Sequence, residues 1–166
     1  MKKLILLLLL VILSCKEESI KTKLDQEFTP IYNEISKNTN PLLKDKAMLN
    51  AKNLFFKKMK TENFIDDYPL YFDNYQVTDD GYVFVNFRTA MLGELMEEKF
   101  NYDNYDRYSF NIIGKIKASD AEKLNKEKPC FVKGFSITEV PDENVFFIEP
   151  TLNLGNVVYD IKSVSN

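Results

Sequence analysis

The sequence predicts an α+β fold in which N-terminal helices pack on a curved antiparallel sheet that carries one short inserted helix. Three observations predict it. Apolar residues recur at helical spacing between Leu24 and Lys60. Apolar and polar residues then alternate at strand spacing in several runs between Tyr71 and Val164. Gly114 and Gly134 interrupt two of those runs, where glycine marks bulges and tight curvature.

The helices come first. Leu24, Phe28, Ile31 and Ile35 fall on one helical face, with Pro30 inside the run, so this helix is expected to begin near Pro30 or to kink there. Asn40 and Pro41 supply an N-cap and a first-turn proline for a second helix over Leu42 to Lys60. Lys46, Asn50, Asn53 and Lys57 form its polar stripe, and the remaining circumference is mostly apolar, which predicts packing against a sheet or between elements. Lys57, Lys58 and Lys60 sit in the last turn, where cations complement the helix dipole; a basic face touching a membrane is the alternative.

The strands follow a polar, aromatic connection over Thr61 to Pro69. Tyr71 to Val77 and Tyr82 to Arg88 flank Thr78-Asp79-Asp80-Gly81, and Asp-Gly between β-formers signals a hairpin. Residues 89–99 read as a short helix weakened at Gly93 or as a bent strand continuation. Asn101 to Tyr108, with tyrosine at every third position, reads as an exposed loop leading into a strand. Ser109 to Lys117 is that strand, with Phe110, Ile112, Gly114 and Ile116 in line. Ser119 and Glu122 form a capping-box pattern for a short helix closed by Pro129. Cys130 to Val140, Val145 to Ile148 and Val157 to Val164 are further strands, with a turn at Pro141 to Asn144 and a connection over Glu149 to Asn156. This element order, from Tyr82 to Val164, resembles the layout of a small OB-like barrel. A helix-covered antiparallel sheet fits the same order.

The opening stretch carries a different signal. Lys2 and Lys3 precede ten apolar residues, Leu4 to Leu13, then Ser14 and Cys15. That is the n-, h- and c-region layout of a secretory signal, and ten residues are too few for a helix that crosses a bilayer. Ile12-Leu13-Ser14-Cys15 resembles the lipobox of bacterial lipoproteins. The resemblance implies cleavage after Ser14, lipidation of Cys15 and attachment to the outer membrane. Lys16-Glu17-Glu18 matches either a surface-export signal of such lipoproteins or a solvated tether. The organisation expected is a signal peptide over 1–14, a lipidated tether over 15–23 and one α+β domain over 24–166.

Composition narrows the chemistry. The chain processed at Cys15 has a net charge of -5, against a general nucleic-acid partner. There is no histidine, which removes the Ser-His-Asp and Cys-His constellations and the commonest zinc ligand. With Cys15 lipidated, Cys130 has no disulfide partner and reads as a small buried hydrophobe. No glycine-rich phosphate loop is present. The sequence implies no cofactor and no metal site.

Charge is concentrated in the centre. Residues 61–106 hold eleven acidic and two basic residues, and seven of the nine tyrosines lie between Tyr68 and Tyr108. Tyr102, Asp103, Tyr105, Asp106 and Tyr108 therefore form the candidate binding surface, suited to a protein, a peptide or a glycan. Asp103 and Asp106 also suggest calcium, but the loop lacks the ligand spacing and glycine of an EF-hand. The function expected is a non-enzymatic binding or accessory role of a membrane-anchored lipoprotein. One alternative is an inhibitor or immunity-type lipoprotein against a basic enzyme or toxin. The other is a hydrolase using Asp66, Asp67, Glu94, Glu97 or Glu98.

Overall fold

The computed structural model describes residues 21–78, 80–89, 107–140, 147–148 and 151–165. Two helices lead, α1 (Lys23–Lys37) and α2 (Pro41–Met59). Strands β1 (Leu70–Val77), β2 (Tyr82–Arg88) and β3 (Tyr108–Lys117) follow, then the single-turn helix α3 (Ala118–Ala121) and strands β4 (Pro129–Val140), β5 (Phe147–Ile148) and β6 (Thr151–Ser165). None of the described helices is long and apolar enough to cross a membrane.

The sheet closes on itself. β3, β2, β1, β4 and β6 are neighbours in that order, and β6 pairs back to β3, so five strands form a ring; the short β5 pairs with β6. The OB-like barrel, rather than the open sheet, is the form adopted. One expected feature is corrected: the sheet is mixed, because β3 and β6 run parallel from Tyr108↔Leu152 to Gly114↔Tyr159. Parity requires this. In a closed ring of five strands neighbours cannot all alternate in direction, so at least one seam must be parallel.

β6 serves two seams. Its first half pairs with β3 and its second half with β4, from Val140↔Asn156 to Phe131↔Ser165. It therefore starts at Thr151, six residues before the Val157 expected. Thr151 to Asn156 is strand and not connection, with Leu152 and Leu154 fully buried. Gly155, at φ +90°, bends the strand opposite the register shift between Ser109 and Phe110.

Gly134 is the tightest point of the wall. It has φ +152° and sits at a register shift in the β4–β6 seam, and a Cβ there would overlap the Asp160 carbonyl oxygen. The inner face of β4 is Cys130, Val132, Gly134 and Ser136, all buried, while Phe131, Phe135 and Ile137 face outward. Cys130 donates its thiol to the Leu70 carbonyl at 3.2 Å, and burial pushes that thiol up to about 12.

The helices seal the end of the barrel where β3 and β6 begin. Phe55 meets Phe110 at a ring-centroid distance of 5.1 Å, Phe28 meets Tyr108 at 6.2 Å, and Tyr68 meets Phe110 at 5.4 Å. α1 begins earlier than expected, at a capping box in which Thr22 is the N-cap and Asp25 the N3 residue. Pro30 lies within the helix on an exposed position. An interior proline costs about 3 kcal/mol, and the complete burial of Leu24, Phe28 and Ile35 offsets it, each side chain contributing roughly 1.5–3 kcal/mol. α2 starts as expected, with Asn40 accepting from Leu42 N and Leu43 N. Its packed face is narrower than the apolar arc suggests: Ala47, Ala51, Phe55, Phe56 and Met59 are buried, whereas Leu42, Leu43 and Leu49 are exposed.

α3 also departs from expectation. Its N-cap is Lys117 with no side-chain cap bond, and Ser119 lies inside the turn. β3 stays paired to Lys117, and the Ala118 amide bonds to the Gly81 carbonyl at 3.1 Å, so the backbone satisfies the first helical donor without a serine cap.

Gly134→Ala is expected to destabilise the fold by more than about 2 kcal/mol, because strained φ and backbone overlap combine at one residue. Urea unfolding checks this. A midpoint equal to that of the parent would show that the bulge relaxes around a side chain.

Candidate functional site

The best-defined exposed surface of the barrel is the β1–β2 hairpin. β1 pairs with β4 only at Leu70↔Cys130 and Tyr71↔Pro129, while its pairing to β2 continues to Val77↔Val83. A register shift between Phe72 and Asn74 reverses which side chains face the barrel interior. The distal half of the hairpin thus extends beyond the closed wall. Tyr75 is 55% exposed and Val77 70% on one side; Tyr82 is 39% exposed and Phe84 45% on the other.

The turn holds this surface firmly. Thr78 N donates to the Tyr82 carbonyl at 3.1 Å, the single Thr78 hydroxyl proton is shared between that carbonyl at 2.7 Å and the Asp80 carboxylate, and Gly81 takes φ +77°. Asp80 accepts from Lys115 and from Thr78, which lower its carboxyl to about 2. It is a turn residue, as its Asp-Gly context suggests. Tyr75 stacks on Phe72 at 6.0 Å, and the Lys115 ammonium lies 4.8 Å from the Tyr82 ring centroid. Beside Tyr82 a cleft of about 250 Å³ opens between β2, β3 and β6. Its edge carries charges of both signs, Lys115 with Asp80 and Lys162 with Asp160.

Of the five residues expected to form the binding surface, the structure describes Tyr108. Tyr102, Asp103, Tyr105 and Asp106 lie outside the described residues, as do Cys15, Asp79, Glu94, Glu97 and Glu98. Tyr108 is described, and it is not a surface residue. It is 1% exposed, packed edge-on to Phe28 and Tyr32, and burial pushes its phenol up to about 12. As the first residue of β3 it shares the inward face of Phe110 and Ile112, an alternation that is hard to read in the sequence after an Asn- and Asp-rich run. Tyr68 and Tyr71 are buried as well. Of the central tyrosines that are described, Tyr75 and Tyr82 are the exposed ones.

The described carboxylates proposed for hydrolysis serve α1. Lys23 pairs with Asp66, Lys23 N donates to Asp67 Oδ2 at 2.9 Å, and Lys23 Nζ reaches the Asn63 carbonyl at 2.9 Å. Sequence reasoning missed the third member of this cluster, Asp25. The Thr22-Lys23-Leu24-Asp25 spacing is the signal that would have found it. Asp25 Oδ2 accepts from Thr22 N at 3.1 Å and from Thr22 Oγ1 at 2.9 Å. The other oxygen of Asp25 and of Asp67 is buried without a hydrogen-bond partner among the described residues. Burial raises both carboxyls above the ordinary 3.8, overcoming the hydrogen bonds that pull them down. The arrangement places anions at a helix N-terminus, where they stabilise it. Among the described residues no group of three or more acidic, cysteine or histidine side chains is placed to hold a metal ion.

A carboxyl with a raised folded value contributes stability that is present in full below its unfolded value and is lost as pH rises through the folded value. Asp25→Asn keeps an oxygen for the two Thr22 donors and removes the titration. Its denaturation midpoint is expected to fall less than that of the parent between about pH 4 and neutrality. Parallel pH profiles would show that burial of Asp25 carries no such penalty.

Comparison with protein-family models, with curated proteins and with solved structures finds no match to this chain.

Proposed function

We propose that the protein is a lipoprotein held on the outer membrane through Cys15, and that its barrel is a non-enzymatic binding module whose contact surface is the β1–β2 hairpin. The anchor rests on the signal layout Lys2 to Cys15 and its lipobox-like end. One acyl chain gives marginal membrane attachment and two or more give a stable one.

The observation that carries the binding role is the exposed hairpin itself. Four large apolar side chains, Tyr75, Val77, Tyr82 and Phe84, stand in solvent on a well-bonded turn. Tyr82 and Phe84 share one side of the hairpin, with the Lys115–Asp80 pair beside them, and aromatic residues edged by charges are the layout of a protein contact surface. Tyrosine and phenylalanine there offer contact area at small cost in side-chain entropy. The partner class this favours is a protein or an extended peptide.

Two measurements separate the halves of the proposal. Cys15→Ser is expected to move the protein from the membrane to the soluble fraction; continued membrane retention refutes the anchor. The double variant Tyr82→Ser, Phe84→Ser is expected to lower stability by about 1 kcal/mol per site and to stay folded, since both are partly exposed strand positions and Tyr82 also carries the Lys115 ammonium. The same variant should lose a partner that the parent retains in an envelope-extract pull-down. Equal capture by parent and variant refutes the hairpin as the contact surface.

A further inference from the structure

We propose that the outward face of α2 rests on an anionic phospholipid surface. The proposal rests on the anchored reading above for the proximity of the bilayer, and adds an orientation to it.

The face is defined by its opposite. Ala47, Ala51, Phe55 and Met59 recur every four residues and are buried against the barrel and α1. On the far side of the same helix lie Leu42, Lys46, Leu49, Asn53 and Lys60, all exposed. Leu42 is 79% exposed and Leu49 56%, and both belong to an otherwise well-packed helix. Leu43 and Lys57 flank this row and are also exposed. A helix face that alternates leucine with lysine partitions into the headgroup boundary of an anionic bilayer, the leucines entering it and the ammoniums meeting the phosphates.

Charge complementarity points to that occupant. Residues 21–60 contain nine lysines and four acidic residues. Glu27 and Lys58 cancel as a pair and Lys23 is paired with Asp66, which leaves seven lysines against the buried Asp25 and the exposed Glu34 and Asp45. The helical hairpin is thus basic, although the whole chain has a formal charge of -3.

The path of the chain points the same way. α1 begins beside the end of α2, as the pairing of Lys58 with Glu27 and of Lys23 with the Asn63 carbonyl shows. Six residues, Lys16 to Lys21, lie between the proposed anchor and the Thr22 cap, which is seven Cα–Cα steps from Cys15. Fully extended they span at most about 25 Å. A helix of 19 residues is about 28 Å long, so a tether of this length holds the C-terminal end of α2 near the bilayer and permits the whole helix to lie along it.

The chain contains no tryptophan, so Leu49→Trp is a single reporter on this face, and Val77→Trp is its control on the β-hairpin. The full lipidated chain carrying either substitution is mixed with vesicles of phosphatidylcholine alone or with added phosphatidylglycerol. The expected result is a blue shift of the position-49 emission on anionic vesicles, reversed by high salt, with the position-77 emission unchanged. Lys46→Gln with Lys57→Gln should lower the ratio of docked to undocked protein by about thirtyfold, from about 1 kcal/mol per lysine near an anionic surface. Vesicle-bound protein whose position-49 emission stays water-like overturns the docking and leaves the anchor standing. A shift on protein that washes off in salt supports the docking and refutes the anchor. Neither binding nor a shift overturns both. A concentration-dependent shift without vesicles assigns the face to self-association and overturns the proposal.

Discussion

The peptide of Gly134 is the junction on which the architecture depends. Asn63 N donates to the Gly134 carbonyl at 2.8 Å, and Gly134 N donates to Asn63 Oδ1 at 3.2 Å. The buried Tyr159 hydroxyl donates to the same carbonyl at 2.9 Å. Asn63 makes both contacts because it sits at φ 57°, a left-handed conformation that asparagine tolerates better than most residues. Lys23 then closes the chain of contacts by bonding the Asn63 carbonyl. One bulge in β4 thereby fixes β6 through Tyr159, the connection after α2 through Asn63, and the start of α1 through Lys23. The glycine is required twice, once for its φ and once because the Asp160 carbonyl occupies the space of a Cβ.

Much of this fold was legible where the cause is local. Asn40-Pro41 locates the start of α2, and Thr78 to Gly81 locates the hairpin turn, because cap and turn chemistry act within four residues. The inward row Phe110, Ile112, Gly114 and Ile116 follows from alternation alone. Gly114 and Gly134 were readable as points of curvature, since a strand glycine has few other reasons to be there. What was not legible depends on pairing across the ring. No residue announces that β3 and β6 are parallel; strand number does. Thr151 to Asn156 looks like a connection because Pro150, the asparagines and Gly155 are poor β-formers, yet two neighbouring strands recruit it. Tyr108 shows the same limit from the other side. Its preceding residues look solvated, and its burial comes from Phe28 and Tyr32, which lie about eighty residues earlier.

The burial of Tyr108 was not legible in the sequence, and neither was the exposure of Tyr75 and Tyr82. A tyrosine-rich acidic centre suggested recognition, and tyrosine exposure in the barrel separates by position along β1 and β2. Tyr71 is buried on the face opposite Phe72, with the Arg88 guanidinium 5.7 Å from its ring centroid; the register shift puts Tyr75 on the other face, and it is exposed where β1 no longer pairs with β4. Exposure here follows from the bulge and from where two strands diverge, properties of the sheet and not of the tyrosine. The same reasoning explains α2, whose leucines look like core in a helical projection. The barrel end accommodates one face of that helix, and Leu42 and Leu49 are left on the other.

The two uncovered apolar surfaces stand at opposite ends of the molecule. The helices pack where β3 begins, at Tyr108 and Phe110. The β1–β2 turn lies where β3 ends, since Tyr82 pairs with Lys117. Ten residues of β3 separate them, about 33 Å of strand. A protein lying on a bilayer by its helical end therefore presents the hairpin away from the membrane, at more than twice the Debye length of about 10 Å that applies near physiological salt. At that distance the surface charge of the membrane is screened from Tyr75, Val77, Tyr82 and Phe84. A partner could then be recognised by contact alone, with no electrostatic interference from the lipid beneath. The helical end and the hairpin lie at opposite ends of the barrel, and the closed five-strand ring is the spacer that holds them apart.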